Sequence, residues 1–133
     1  MKAISAKATR GLNIGSYVTV ADNSGGRIAK IVGVKKYGAR KGRQTPAKIA
    51  DWVKVSIRAG DPKIKGEVFD AVVVRQKKPW RRNTGERICF SDNAVAILKD
   101  EKGNPKGTQL KGAVAREIQE RWKEVSKIAS IVH

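Results

Sequence analysis

The 133-residue chain is short of many things at once: it holds one cysteine, one histidine, four prolines and 12 acidic residues. Each shortage excludes something. Cys89 has no second thiol to pair with, so no internal disulfide forms, and together with His133 it falls short of the four ligands of a structural zinc site. A reducing compartment fits that count. His133 stands last, where fraying would spoil a general base, and a Cys–His nucleophile would need Cys89, which sits in a predicted strand and reads as a small core or half-buried residue. No run of about 18 apolar residues could span a bilayer, and no basic segment leads an apolar signal core, so the expected location is cytoplasmic with no membrane partner. No phosphate-binding Gly-x-x-x-x-Gly-Lys-Ser/Thr loop is present, because Gly60 to Gly66 lacks the Lys and hydroxyl that should follow. Neither is there a dinucleotide fingerprint; Gly25-Gly26 is explained by a hairpin turn. These absences predict no enzyme activity, no cofactor and no metal.

What the chain has in excess is positive charge. Against the 12 acids stand 29 Lys plus Arg, a formal net charge of +17. Such self-repulsion is relieved by a polyanion, since Lys and Arg release the counterions condensed on nucleic acid. An apolar content of 40% supports a real core, and the length suits one domain.

The order of patterns predicts strands first and helix last. Residues 1–13 carry Lys2, Lys7 and Arg10 without a period and read as an extended arm or frayed start whose order would need a partner. Residues 14–112 read as a β-barrel with basic hairpins. Tyr17 to Val20 and Ile28 to Val34 flank the turn Asp22-Asn23-Ser24-Gly25-Gly26. Val53, Val55 and Ile57 alternate with Trp52, Lys54, Ser56 and Arg58, and the unbroken Ala71 to Val74 suggests burial on both faces. Ile88-Cys89-Phe90 and Ala94 to Leu98 read as two strands around Ser91-Asp92-Asn93. In residues 113–133 the apolar period is helical, Val114, Ile118, Trp122, Val125 and Ala129, with Glu117 and Arg121 spaced for an i,i+4 pair and one kinked or two short helices expected. Short strands and Gly-rich turns predict a mainly β fold, a small antiparallel barrel that removes its edges by closure, with a terminal helical appendage.

Two segments carry the functional reading. Lys35, Lys36, Arg40, Lys41, Arg43 and Lys48 form one nearly acid-free basic run, and Arg75, Lys77, Lys78, Arg81 and Arg82 form another. A single charge run is as often a mere solvated face. Two runs between strands can project together and track a phosphate backbone, Arg as a bidentate fork and Lys as a point charge. Tyr37 and Trp80 lie inside the runs and could stack on bases, although Trp80 could equally pack on its own hairpin. Trp122 faces the same choice between core and interface.

The ordered motifs Val20-Ala21-Asp22-Asn23-Ser24-Gly25-Gly26, Lys54-Val55-Ser56-Ile57, Lys65-Gly66-Glu67-Val68, Ala71-Val72-Val73-Val74-Arg75, Phe90 with Asn93, and Gly112-Ala113-Val114-Ala115-Arg116-Glu117 resemble the universal large ribosomal subunit protein fourteen family. The residues before Tyr17 and the basic insert near Arg40 resemble its archaeal and eukaryotic branch. Thr84-Gly85 and Ala96-Ile97 depart from its usual pattern. The resemblance implies a five-stranded barrel with a projecting β-ribbon and short C-terminal helices. It also implies binding to large-subunit rRNA, a bridge to small-subunit rRNA across the subunit interface, and contacts with neighbouring ribosomal proteins. An anti-association factor would dock at the C-terminal region, on this chain near Arg116, Trp122 and Lys127. The rival from another class is a DNA-compacting architectural protein, and a pure protein-interaction module is a third reading.

Overall fold

The computed structural model describes residues 2–35 and 38–133. Five strands close into a barrel: β2 (Tyr17–Val20), β3 (Gly26–Val34), β4 (Trp52–Gly60), β5 (Val68–Arg75) and β8 (Ala94–Ile97). Neighbours pair antiparallel except β2 with β8, where Val20 lies opposite Val95 in a parallel pair that completes the cylinder. Register explains the core. Val18 pairs with Ala29, Ala29 with Ile57, Ile31 with Val55, Val53 with Ala71, and Val73 with Val95, so these side chains share the inner face and are buried. Each large aliphatic taken out of water there contributes about 1.5–3 kcal/mol.

The predicted double burial of β5 is present, and its outer side is covered from the C-terminal part of the chain. Val72 faces outward beside Trp52, and Val74 accepts a hydrogen bond through its carbonyl from Ala115 N–H at 3.1 Å. At the β2–β3 turn, Asp22 is buried rather than a surface turn residue: Oδ1 accepts from Ser24 Oγ at 2.5 Å and Oδ2 from Ile97 N–H at 2.8 Å. One carboxylate therefore ties the first turn to the closing strand.

Several elements differ from the sequence expectation. The arm contains β1 (Ala6–Lys7), which pairs with β6 (Trp80–Arg82), and β7 (Arg87–Ile88) completes this three-stranded side sheet. Ser5 N–H donates to Glu120 Oε2 at 2.6 Å and Thr9 Oγ1 to the Pro79 carbonyl at 2.7 Å, so the chain itself supplies the partners that place the arm. Residues 88–90 and 94–98 do not form a hairpin; β7 belongs to the side sheet and β8 to the barrel. Cys89 is exposed, because Ile88 and Phe90 turn inward on either side of it and Phe90 stacks on Trp80 at 5.9 Å between centroids.

The C-terminal segment follows β9 (Leu110–Val114) with α1 (Glu117–Arg121), α2 (Lys123–Lys127) and an unanticipated β10 (Ala129–Val132) that pairs parallel with β9. Val114 and Ala129 of the apparent helical stripe thus lie in strands. The helices part at Trp122 (φ −125, ψ 70), whose indole N–H donates to the Ala50 carbonyl at 2.9 Å and whose ring meets Trp52 edge-on at 6.0 Å. Trp122 is core. Strand pairing overrides the helical period in the β-branched tail.

Candidate nucleic-acid interface

Among the described residues the ion pairs fall on one subset of the cations. Glu117, buried on the first turn of α1, takes Arg82 Nε at 3.0 Å and Trp80 Nε1 at 3.0 Å on the same carboxylate oxygen, Oε1. Arg82 Nη2 also donates to Glu117 Oε2 at 3.3 Å and to the His133 carbonyl. The expected Glu117–Arg121 pair does not form. Arg121 instead reaches Asp51 at 3.4 Å, the Ala50 carbonyl at 3.1 Å and the Lys2 carbonyl at 2.6 Å. Arg75 is held by Asp92 at 2.9 Å and by the carbonyls of Lys111 and Ala113, cinching β5 to β9. Lys35 lies 3.8 Å over the Trp52 ring and pairs with Asp70 and Glu101, each at 3.4 Å.

These interactions redraw the expected interface. Trp80 is wholly buried, so it packs within the protein and is not available to stack on a base; Arg82 is 5% exposed and serves as a core counter-charge. Lys35 and Arg75 are half-buried and paired with acids, and Lys48 is half-buried with its backbone N–H on Asp51 Oδ2 at 3.0 Å. Lys36 and Tyr37 lie outside the described residues. The exposed members are Arg40, Lys41 and Arg43 of the first run and Lys77, Lys78 and Arg81 of the second, and among the described residues none of these six forms an ion pair. Sequence spacing could not sort the two sets, because the selecting acids lie far away along the chain.

The arm brings the two runs together. Leu12 N–H donates to the Ala47 carbonyl at 3.0 Å and Ala47 N–H returns to the Leu12 carbonyl at 2.7 Å, stitching the arm to the first run. The adjacent Gly11 lies against the second: a Cβ there would stand 2.8 Å from Lys78 Cβ. Gln76 Nε2 also spans to the Thr9 carbonyl at 2.8 Å. Consecutive arm residues thus touch both basic runs, and Arg10 joins Arg40 and Arg43 around an open cavity of about 380 Å³. The turn beneath it uses left-handed backbone at Lys41 (φ 53) and Gly42 (φ 72), and Arg43 N–H closes on the Arg40 carbonyl at 3.2 Å. Sequence reasoning missed Arg10 as a member of this group, since only the Leu12–Ala47 bridge places it there.

Asp51 is a buried carboxyl beside this region. Burial pushes it up from the ordinary carboxylate value, opposed by the Lys48 N–H and by the charges of Lys48, Arg121 and Arg10. Among the described residues no three His, Cys, Asp or Glu side chains are grouped to hold a metal ion, and no helix is long and apolar enough to cross a membrane. In the C-terminal segment Arg116 is exposed, Lys127 is exposed and pairs with Glu124 at 2.9 Å, and Trp122 lies beneath the surface.

Comparison with known proteins finds relatives over nearly the whole chain. The family described as "Ribosomal protein L14p/L23e" matches residues 11–133. "Large ribosomal subunit protein uL14" of Nanoarchaeum equitans is 54% identical over 132 residues, covering 99% of both chains. The proteins of the same name from Methanothrix thermoacetophila and Halobacterium salinarum are 45% and 44% identical over the same length and coverage. A closed five-stranded barrel, the ordered motifs and this near-full-length similarity to archaeal relatives together establish that the chain belongs to the ribosomal protein L14p/L23e (uL14) family.

Proposed function

We propose that the chain is a structural constituent of the large ribosomal subunit that binds large-subunit rRNA directly and contributes to a bridge with small-subunit rRNA. Family membership over nearly the full chain carries the reading. The geometry supports the RNA contact: the two segments that carry six exposed cations meet at arm residues 11 and 12, while the ion pairs among the described residues fall on other cations. Phosphate neutralisation by Arg40, Lys41, Arg43, Lys77, Lys78 and Arg81 would fix the barrel's orientation on RNA, and the rigid barrel would hold both segments in register. The part of the protein proposed to face neighbouring ribosomal proteins and an anti-association factor is the C-terminal segment, through Arg116 and Lys127; Trp122 supports that surface from below. No step of chemistry and no cofactor enters this role.

Titration of the full chain against deproteinised large-subunit rRNA and against duplex DNA, across a salt series, tests the proposal. The wild type should prefer the RNA, and replacing Lys77, Lys78 and Arg81 by Ala should flatten the dependence of log affinity on log salt by about 0.7–0.9 for each phosphate that is no longer neutralised. An unchanged slope would reduce these residues to solvated surface, and indifference between RNA and DNA would favour an architectural DNA-binding role.

A further inference from the structure

The side sheet sets three cations abreast. Register places Lys7 of β1 opposite Arg81 of β6, and Arg81 opposite Arg87 of β7. All three are exposed, on the face away from buried Trp80 and Arg82. Among the described residues none of the three forms an ion pair; Glu86, beside Arg87 in sequence, takes up none of them. Directly opposed residues of antiparallel strands lie about 4.5–5.5 Å apart at Cα, and like charges so placed destabilise the pair. The row therefore strains the free protein electrostatically, with Arg81 repelled from both sides.

From this geometry we infer that Lys7, Arg81 and Arg87 form a phosphate-binding row that grips consecutive phosphates of an RNA strand laid across the side sheet. The inference rests on the RNA-binding reading above and adds a site to it. Two of its three residues lie outside both basic runs, and Lys7 precedes residue 11, where the family match begins. The Lys7–Arg81 pairing exists because the arm adds a strand to the β6–β7 hairpin. A polyanion converts the mutual repulsion into attraction, since one phosphate between two guanidinium groups accepts from both. The buried side of β6, pinned by the Arg82–Glu117 pair at 3.0 Å, fixes the middle strand of the row.

The row predicts opposite effects on the free and bound protein. In low salt, Arg81→Gln should raise the denaturation midpoint of the full chain, and Lys7→Gln and Arg87→Gln should raise it by less, each having one like-charged neighbour. With deproteinised large-subunit rRNA, each substitution should lower the salt slope by about 0.7–0.9, and the triple variant should lose about tenfold or more in affinity at moderate salt. Midpoints that fall together with unaltered RNA affinity would overturn the row. Lys77→Ala with Lys78→Ala is the control: if it flattens the slope and the row variants do not, the row fails while the RNA reading stands. If neither set alters affinity or slope, the RNA reading itself fails.

Discussion

Arg81 and Arg82 are neighbours in sequence with opposite fates, and the difference is one of burial and pairing. Arg82 shares a buried carboxylate with Trp80, so Glu117→Gln or Arg82→Ala leaves a charge or a donor stranded; either should cost about 3–5 kcal/mol in denaturant unfolding. Arg81 has no such partner, and Arg81→Ala should change stability by no more than about 0.5 kcal/mol at moderate salt, where the repulsion between exposed neighbouring cations is weakened. A second residue-scale constraint lies at Gly60, with φ 143 and space so tight that a Cβ would stand 2.6 Å from the Gly25 carbonyl oxygen. Gly60→Ala should destabilise by about 2 kcal/mol or more, read as a lower midpoint at unchanged denaturant slope. Asp51 sets a pH dependence. Because burial raises its folded value above the unfolded one, the folded state holds the proton more tightly. Its contribution is therefore most favourable at acid pH, declines as pH rises from the unfolded value through the raised folded value, and is level above that. Comparing midpoints of wild type and Asp51→Asn across this window should show the wild type losing ground to the variant as pH rises. The reverse trend would place the carboxyl below its ordinary value.

Among the elements, the alternation of Val53, Val55 and Ile57 and the apolar run Ala71 to Val74 are legible in the sequence because inner-face burial in a closed sheet has a period of two and double burial has none. No local signal tells the run 88–90 from the run 94–98, since both are short and apolar; pairing partners alone assign one to the side sheet and one to the barrel. That assignment has a measurable consequence. Ile97 is fully buried in the barrel, whereas Ile88 is half-buried, so Ile97→Ala should cost about 2–5 kcal/mol and Ile88→Ala distinctly less in the same unfolding assay. Equal costs would contradict the division into two sheets. The C-terminal period misleads for a related reason. Val114, Ile118, Trp122, Val125 and Ala129 recur at helical spacing, but long-range pairing of β9 with β10 and the pull of Trp122 onto the Ala50 carbonyl decide the backbone. Glu117 has the spacing of a helix-surface partner for Arg121, and no local pattern reveals that Arg82 and Trp80 come to it instead.

At the scale of the whole molecule, the formal charge of +17 is plain from composition, and it is the distribution of charge that folding adds. Acids gather around Lys35, Arg75, Arg82 and Arg121, leaving exposed cations on the two basic runs and on the side sheet. The arm is the element that joins these surfaces, through Leu12–Ala47, Gly11 against Lys78, and Lys7 beside Arg81. A protein so arranged gains stability from a bound polyanion, as any ligand that prefers the folded state provides. The most direct test of a large-subunit constituent is gradient sedimentation of native lysate, following the chain through free, small-subunit, large-subunit and joined-ribosome fractions at moderate and high salt. Near-equal stoichiometry with the large subunit, surviving the high-salt wash, is the predicted result; residence in free or nucleoid fractions would contradict it.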